Sequence, residues 1–152
     1  MNKVLKVAAL TAAVAMSIPA AQAATATAPF NVIANLTGAC RISSAPSDIT
    51  VNYTAFQVTT ATGTSNFTVQ CSNNLLYSIT MPLSTADNIN TNLGLSNSVA
   101  ITAGGSTNVT GTAAGNAHTI TATIASGQAG TCATAPPGTC TATNGYTLTV
   151  TY

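Results

Sequence analysis

Outside its first two dozen residues the chain holds few groups suited to chemistry: His118, Asp48, Asp87, Arg41 and the cysteines Cys40, Cys71, Cys132 and Cys140. A Ser–His–Asp relay could be drawn from His118, either aspartate and one of many serines. No serine sits in a G-x-S-x-G turn, however, and no glutamate or further histidine supplies a second proton carrier. His118 follows the turn-forming GTAAGNA at the start of an alternating segment, which reads as a surface histidine. Asp48 and Asp87 stand in APSD and TADN, contexts in which aspartate bonds to nearby backbone N–H groups. The glycines open no phosphate-binding helix. The expectation is a protein that is not an enzyme and carries no cofactor or metal.

The cysteines have a different use. Zinc sites usually bring close C-x-x-C pairs, and none is present. In an exported chain four cysteines read as two disulfides, with three formal pairings. Cys40–Cys71 with Cys132–Cys140 is the expected set, because CATAPPGTC closes a short Pro-Pro-Gly loop on itself. Export is read from the N-terminus. Lys3 and Lys6 precede an apolar run from Val7 to Met16, and Ala21-Gln22-Ala23 forms an A-x-A cleavage site. Residues 1–23 are therefore expected to be a signal peptide, with no membrane span in the mature chain.

Charge is sparse. Only 3% of residues are charged, against about a quarter in ordinary domains, which excludes a phosphate-binding surface and hence nucleic acid. So neutral a surface suits a protein packed against copies of itself. Four N-x-T tripeptides, at Asn35, Asn52, Asn66 and Asn108, read as chance in a Thr- and Asn-rich chain.

The elements that must carry these residues are strands. Apolar side chains alternate at Phe30, Val32, Ala34 and Leu36; at Ile49, Val51 and Tyr53; and at Phe67, Val69 and Cys71. They do so again at Tyr77, Ile79 and Met81, at Val99 and Ile101, and at Ile120, Ala122 and Ile124. The terminal GYTLTVTY puts Tyr146, Leu148, Val150 and Tyr152 on one side and threonines on the other. Period two marks half-buried strands. The stretches between them, TTATGTS and STADNINTN among them, are rich in turn formers. No segment sustains a capped helical period. Short strands at this spacing predict an all-β fold, an immunoglobulin-like β-sandwich.

In order along the chain, a signal peptide, PFNVIANLTGAC, RISSAPSDITVNYTAF, FTVQC, HTITATIASGQAG and the final GYTLTVTY resemble the spore coat protein U-like domain. That domain builds subunits of archaic-type chaperone–usher pili of Gram-negative bacteria. The resemblance covers essentially the whole mature chain. Two features depart from the family pattern: Thr147 follows Tyr146 where an aspartate is common, and the Cys132–Cys140 loop is additional.

The resemblance implies an incomplete sandwich, completed by a strand donated from another molecule, over a pilin domain at 39–152. It implies a periplasmic pilus chaperone, an outer-membrane usher and neighbouring copies of the chain as partners. It also implies a cell-surface pilus serving adhesion and biofilm formation. Tyr146, Leu148, Val150 and Tyr152 would form the groove edge and the chaperone contact, with the carboxylate of Tyr152 as an anchor. Residues 24–38 would be the donor segment. At about 3.3 Å per residue, 26–36 reaches roughly 35 Å, with Ala28, Phe30, Val32, Ala34 and Leu36 pointing into the groove. The same segment would otherwise be an ordinary first strand of a complete sandwich. A non-polymerising coat protein or adhesive module is the alternative function.

Overall fold

The computed structural model describes residues 25–132 and 138–152. The signal peptide expected at 1–23 lies outside them. The chain divides into two compact units, one ending at Asn35 and the other running from Leu36 to Tyr152. From 25 to 39 no helix or strand forms, and Phe30, Val32, Ile33 and Leu36 are all exposed.

The described residues of the second unit form seven strands and one short helix: β1 (Cys40–Ser44), β2 (Ala61–Cys71), β3 (Leu76–Thr80), α1 (Asn88–Leu93), β4 (Asn97–Ala103), β5 (Val109–Thr110), β6 (Asn116–Ile124) and β7 (Thr149–Thr151). They form two sheets, ordered β1-β2-β6-β4 and β5-β3-β7. Every pairing is antiparallel. The fold is all-β, as the period-two pattern predicts.

Side-chain alternation sets the register. Along β2, Ala61, Ser65, Phe67, Val69 and Cys71 point inward while Thr62, Thr64 and Asn66 face out. A one-residue slip against β6 would turn Phe67 and Val69 to water. The observed ladder instead sets Phe67 opposite His118 and Ser65 opposite Ile120. Both sheets feed one apolar cluster: Phe67, Val69, Cys71 and Ile120 from the larger, Tyr77 and Ile79 from the smaller. Leu148 and Val150 pack against it. Cys40 pairs with Cys71 in the β1–β2 register and is bonded to it, closing a separation of 31 residues. Cys132 is bonded to Cys140. Both expected disulfides form.

Several local features differ from the sequence reading, the alternating 30–36 segment that forms no strand among them. Residues 45–53 join no sheet, although Ile49, Val51 and Tyr53 do point inward. STADNINTN runs into a helix of six residues, Asn88–Leu93, capped by the Asp87 carboxylate on Asn90 N–H and by left-handed Gly94. So short a helix has no apolar period to betray it. The last strand pairs only through Thr149–Thr151, and Tyr146 makes a separate bridge to Leu83.

A further difference is His118, which is buried, at 1% exposure. Its ring stacks on Phe67 at 5.0 Å. The Gly105 carbonyl accepts from Nδ1 at 3.1 Å, so Nδ1 carries the proton. Nε2 then accepts from the Tyr77 hydroxyl at 2.8 Å, and that oxygen accepts from Asn116 Nδ2 at 3.0 Å. Every polar atom of the network is satisfied around a neutral imidazole. Burial pushes the His118 pKa down, and the Gly105 hydrogen bond only partly opposes it.

The unfolded chain therefore takes up a proton near pH 6.5 that the folded chain refuses. Stability is full above that pH and falls as pH drops below it. The thermal midpoint should decline between about pH 7.5 and pH 5. In His118→Gln that slope should flatten, from a lower starting point. An equal slope in both proteins would place the titration elsewhere.

Candidate functional site

The larger sheet outreaches the smaller. Beyond the shared core, its inner face continues through Ala61 and Ile124. Among the described residues that line that end, none belongs to a strand of the smaller sheet. A second cluster forms there, in which Ala61, Leu95 and Ile124 are buried against Val51, Tyr53, Ile89 and Leu93. Over it lies a cleft of about 950 Å³. Its floor is Val99, Ile120, Ala122 and Ile124; one rim is 46–55, and the other runs through 138–144 to Tyr146.

The first rim is held at both ends without a ladder. Near its start, the Ser65 hydroxyl accepts from Ser47 N–H at 2.9 Å. Near its finish, the Tyr53 hydroxyl donates to the Gln128 carbonyl at 3.0 Å and accepts from Gln128 N–H at 2.7 Å. Phe56 N–H also reaches the Gln128 carbonyl, at 2.8 Å.

Between those ties the rim crosses β2 at Gly63, which TTATGTS disguises as a turn. A Cβ there would stand 2.7 Å from Ile49 Cγ2 and 2.8 Å from the Thr50 carbonyl oxygen. The second of these is backbone and cannot swing aside. Replacing a strand glycine by alanine ordinarily gains about 0.5–1 kcal/mol, whereas forcing packed groups apart costs about 1–3 kcal/mol. Gly63→Ala should therefore destabilise, with the 47–53 rim displaced. Urea unfolding checks the sign, and amide protection of Ser47 and Gln128 reports the rim. A stabilised variant with both amides still protected would show that the rim yields freely.

The opposite rim hangs on one carboxylate. Asp87 Oδ1 accepts from Asn144 Nδ2 at 2.8 Å, from Asn90 N–H at 3.1 Å and from Asn97 Nδ2 at 3.1 Å. Those bonds, the Asn144 bond foremost, hold the Asp87 pKa below its usual value. Asn144 Oδ1 in turn accepts from Ile89 N–H at 3.0 Å, and Asn88 Nδ2 donates to the Thr143 carbonyl at 2.9 Å. Asp87 was legible only as a turn residue. Two of its three partners lie ten and 57 positions away, beyond any local pattern.

The expected groove-edge residues separate in role. Tyr146 lines the cleft, Leu148 and Val150 pack on the core, and Tyr152 is exposed. From Tyr146 the chain leads into β7, the outer strand of its sheet. Cys132 and Cys140 line the cleft, whereas Cys40 and Cys71 tie β1 to β2. His118 belongs to the core, and no group of three or more His, Cys, Asp or Glu able to hold a metal occurs among the described residues. The arrangement offers an apolar trough with polar backbone along its rims. Comparison with protein-family models, curated proteins and solved structures gives no match for this chain.

Proposed function

We propose that this chain is a structural subunit of a cell-surface pilus, built by donor-strand exchange through the chaperone–usher pathway and serving adhesion and biofilm formation. In this reading the two sheets are an immunoglobulin-like sandwich one strand short, and the cleft is where the strand is missing. The carrying observation is that cleft: an apolar floor on the inner face of the larger sheet, beside a rim that joins no sheet. An extended segment laid there would bury alternate side chains on the floor and offer its backbone to the rims, which is strand addition. The ordered resemblance to the spore coat protein U-like domain supports the same reading.

The chain also carries a segment fit to be the donor. Phe30 and Leu36 are 85% and 91% exposed, and Val32 is 83% exposed. Burying those three in a neighbour would contribute roughly 5–9 kcal/mol at about 1.5–3 kcal/mol each. Ladder hydrogen bonds add to this, and the entropy of association subtracts from it. Until a neighbour arrives, an open cleft is an aggregation hazard, which a periplasmic chaperone would cover before the usher exports the subunit.

The test is to express the chain alone and with a cognate chaperone and usher. It should be recoverable in quantity only with the chaperone, and filaments should appear in negative stain when all three are present. A durable lone monomer that forms no filaments in that company would overturn the proposal in favour of a coat or adhesive module that does not polymerise.

A further inference from the structure

We infer that the Cys132–Cys140 disulfide braces one wall of the cleft and thereby sets how long the cleft retains an extended segment, residues 26–36 of a second copy; this rests on the reading proposed above. Three observations carry it. Both cysteines line the cleft, as do Ala129–Thr131 on one side of the bridge and Gly138–Asn144 on the other. Each of those flanks is separately fastened to the helix that completes the wall. Thr131 N–H donates to the Leu93 carbonyl at 2.6 Å, and Asn144 holds Ile89 N–H and the Asp87 carboxylate. The bridge, with Cα atoms 5.6 Å apart, joins the flanks between those two fastenings.

The two disulfides are thus unlike in purpose. Cys40–Cys71 fastens two strands already paired in a ladder. Cys132–Cys140 joins stretches that belong to no strand, so isolated hydrogen bonds and the bridge, rather than a ladder, tie the wall together. A wall fixed in advance holds its occupant more tightly, because less chain must be ordered on binding. Related complexes differ mainly in dissociation rate, so retention rather than capture should respond.

The experiment uses the full chain, presented in its chaperone complex, and a labelled synthetic peptide of its own residues 26–36, followed by fluorescence anisotropy. A peptide carrying Asp at the Phe30 position serves as the non-binding probe. In Cys132→Ser/Cys140→Ser the peptide should leave roughly tenfold faster, with its association rate and the Cys40–Cys71 bond unchanged. Asn144→Ala, which unfastens one flank with both disulfides intact, should also speed release and guards against a misfolded double variant. Equal release from wild type and both variants would overturn the brace and leave the strand-acceptor reading standing. Failure of the wild-type chain to take up the peptide at all would overturn both.

Discussion

Phe30→Asp should abolish filament assembly while the subunit is still exported in normal amount. In the donor register Phe30 faces the trough, where the substitution loses about 1.5–3 kcal/mol of apolar burial. It also brings a carboxylate into a trough with no cation among the residues that line it. An unpaired buried charge costs several kcal/mol more. Together these match or exceed the roughly 5–9 kcal/mol available from Phe30, Val32 and Leu36, so the joint should fail. Export should survive because Phe30 is exposed and supports no core.

The control is one residue away. Asn31→Asp brings the same charge to a position that faces outward in that register, and should leave filaments intact. Shadowing and counting filaments on cells of the two variants decides the matter. Filaments from Phe30→Asp would refute the donor assignment, and their loss in both variants would show that charge, not facing, is what the joint rejects.

Phe67→Ala should be the most destabilising single truncation, by about 3–5 kcal/mol. The ring is 1% exposed, stacks on His118 and sits in the cluster shared by both sheets. Its loss opens a cavity beside the Tyr77–His118–Asn116 network and admits water to an imidazole that burial keeps neutral. Against a typical stability of about 5–15 kcal/mol, the thermal midpoint should drop by roughly 10–20 °C. Phe56→Ala supplies the contrast. That ring stands exposed, and its removal should change stability by no more than about 0.5 kcal/mol. Calorimetry on the pair measures both; similar midpoints would mean that the core has re-formed around the smaller side chain.

Much of this was readable from the chain. Phe67, Val69 and Cys71, like Tyr77 and Ile79, alternate because a strand with one wet face must. Those positions are buried as the pattern requires. The short Pro-Pro-Gly interval made Cys132–Cys140 an economical pairing, which left Cys40 for Cys71. The misreadings are equally physical. Gly63 looked like a turn because glycine usually marks one, yet here it makes room for a crossing segment. His118 looked superficial because a lone histidine after a turn ordinarily is. It is inside because Tyr77 and Gly105 satisfy the two ring nitrogens, and Asn116 holds the Tyr77 hydroxyl in place.

By itself the amino-acid order determined what is local and periodic: strand faces, inward side chains, the shortage of charge and the absence of a proton-transfer motif. These depend on neighbours two residues away, and two residues are always within reach of a pattern. Only the tertiary structure decided the cleft, since its floor comes from β4 and β6, its rims from 46–55 and 138–146, and its fastening from Asp87 and Asn144. Such an assembly is a matter of which surfaces remain after the sheets have packed. No local period records a surface left uncovered; in the sequence it was an expectation drawn from family resemblance alone.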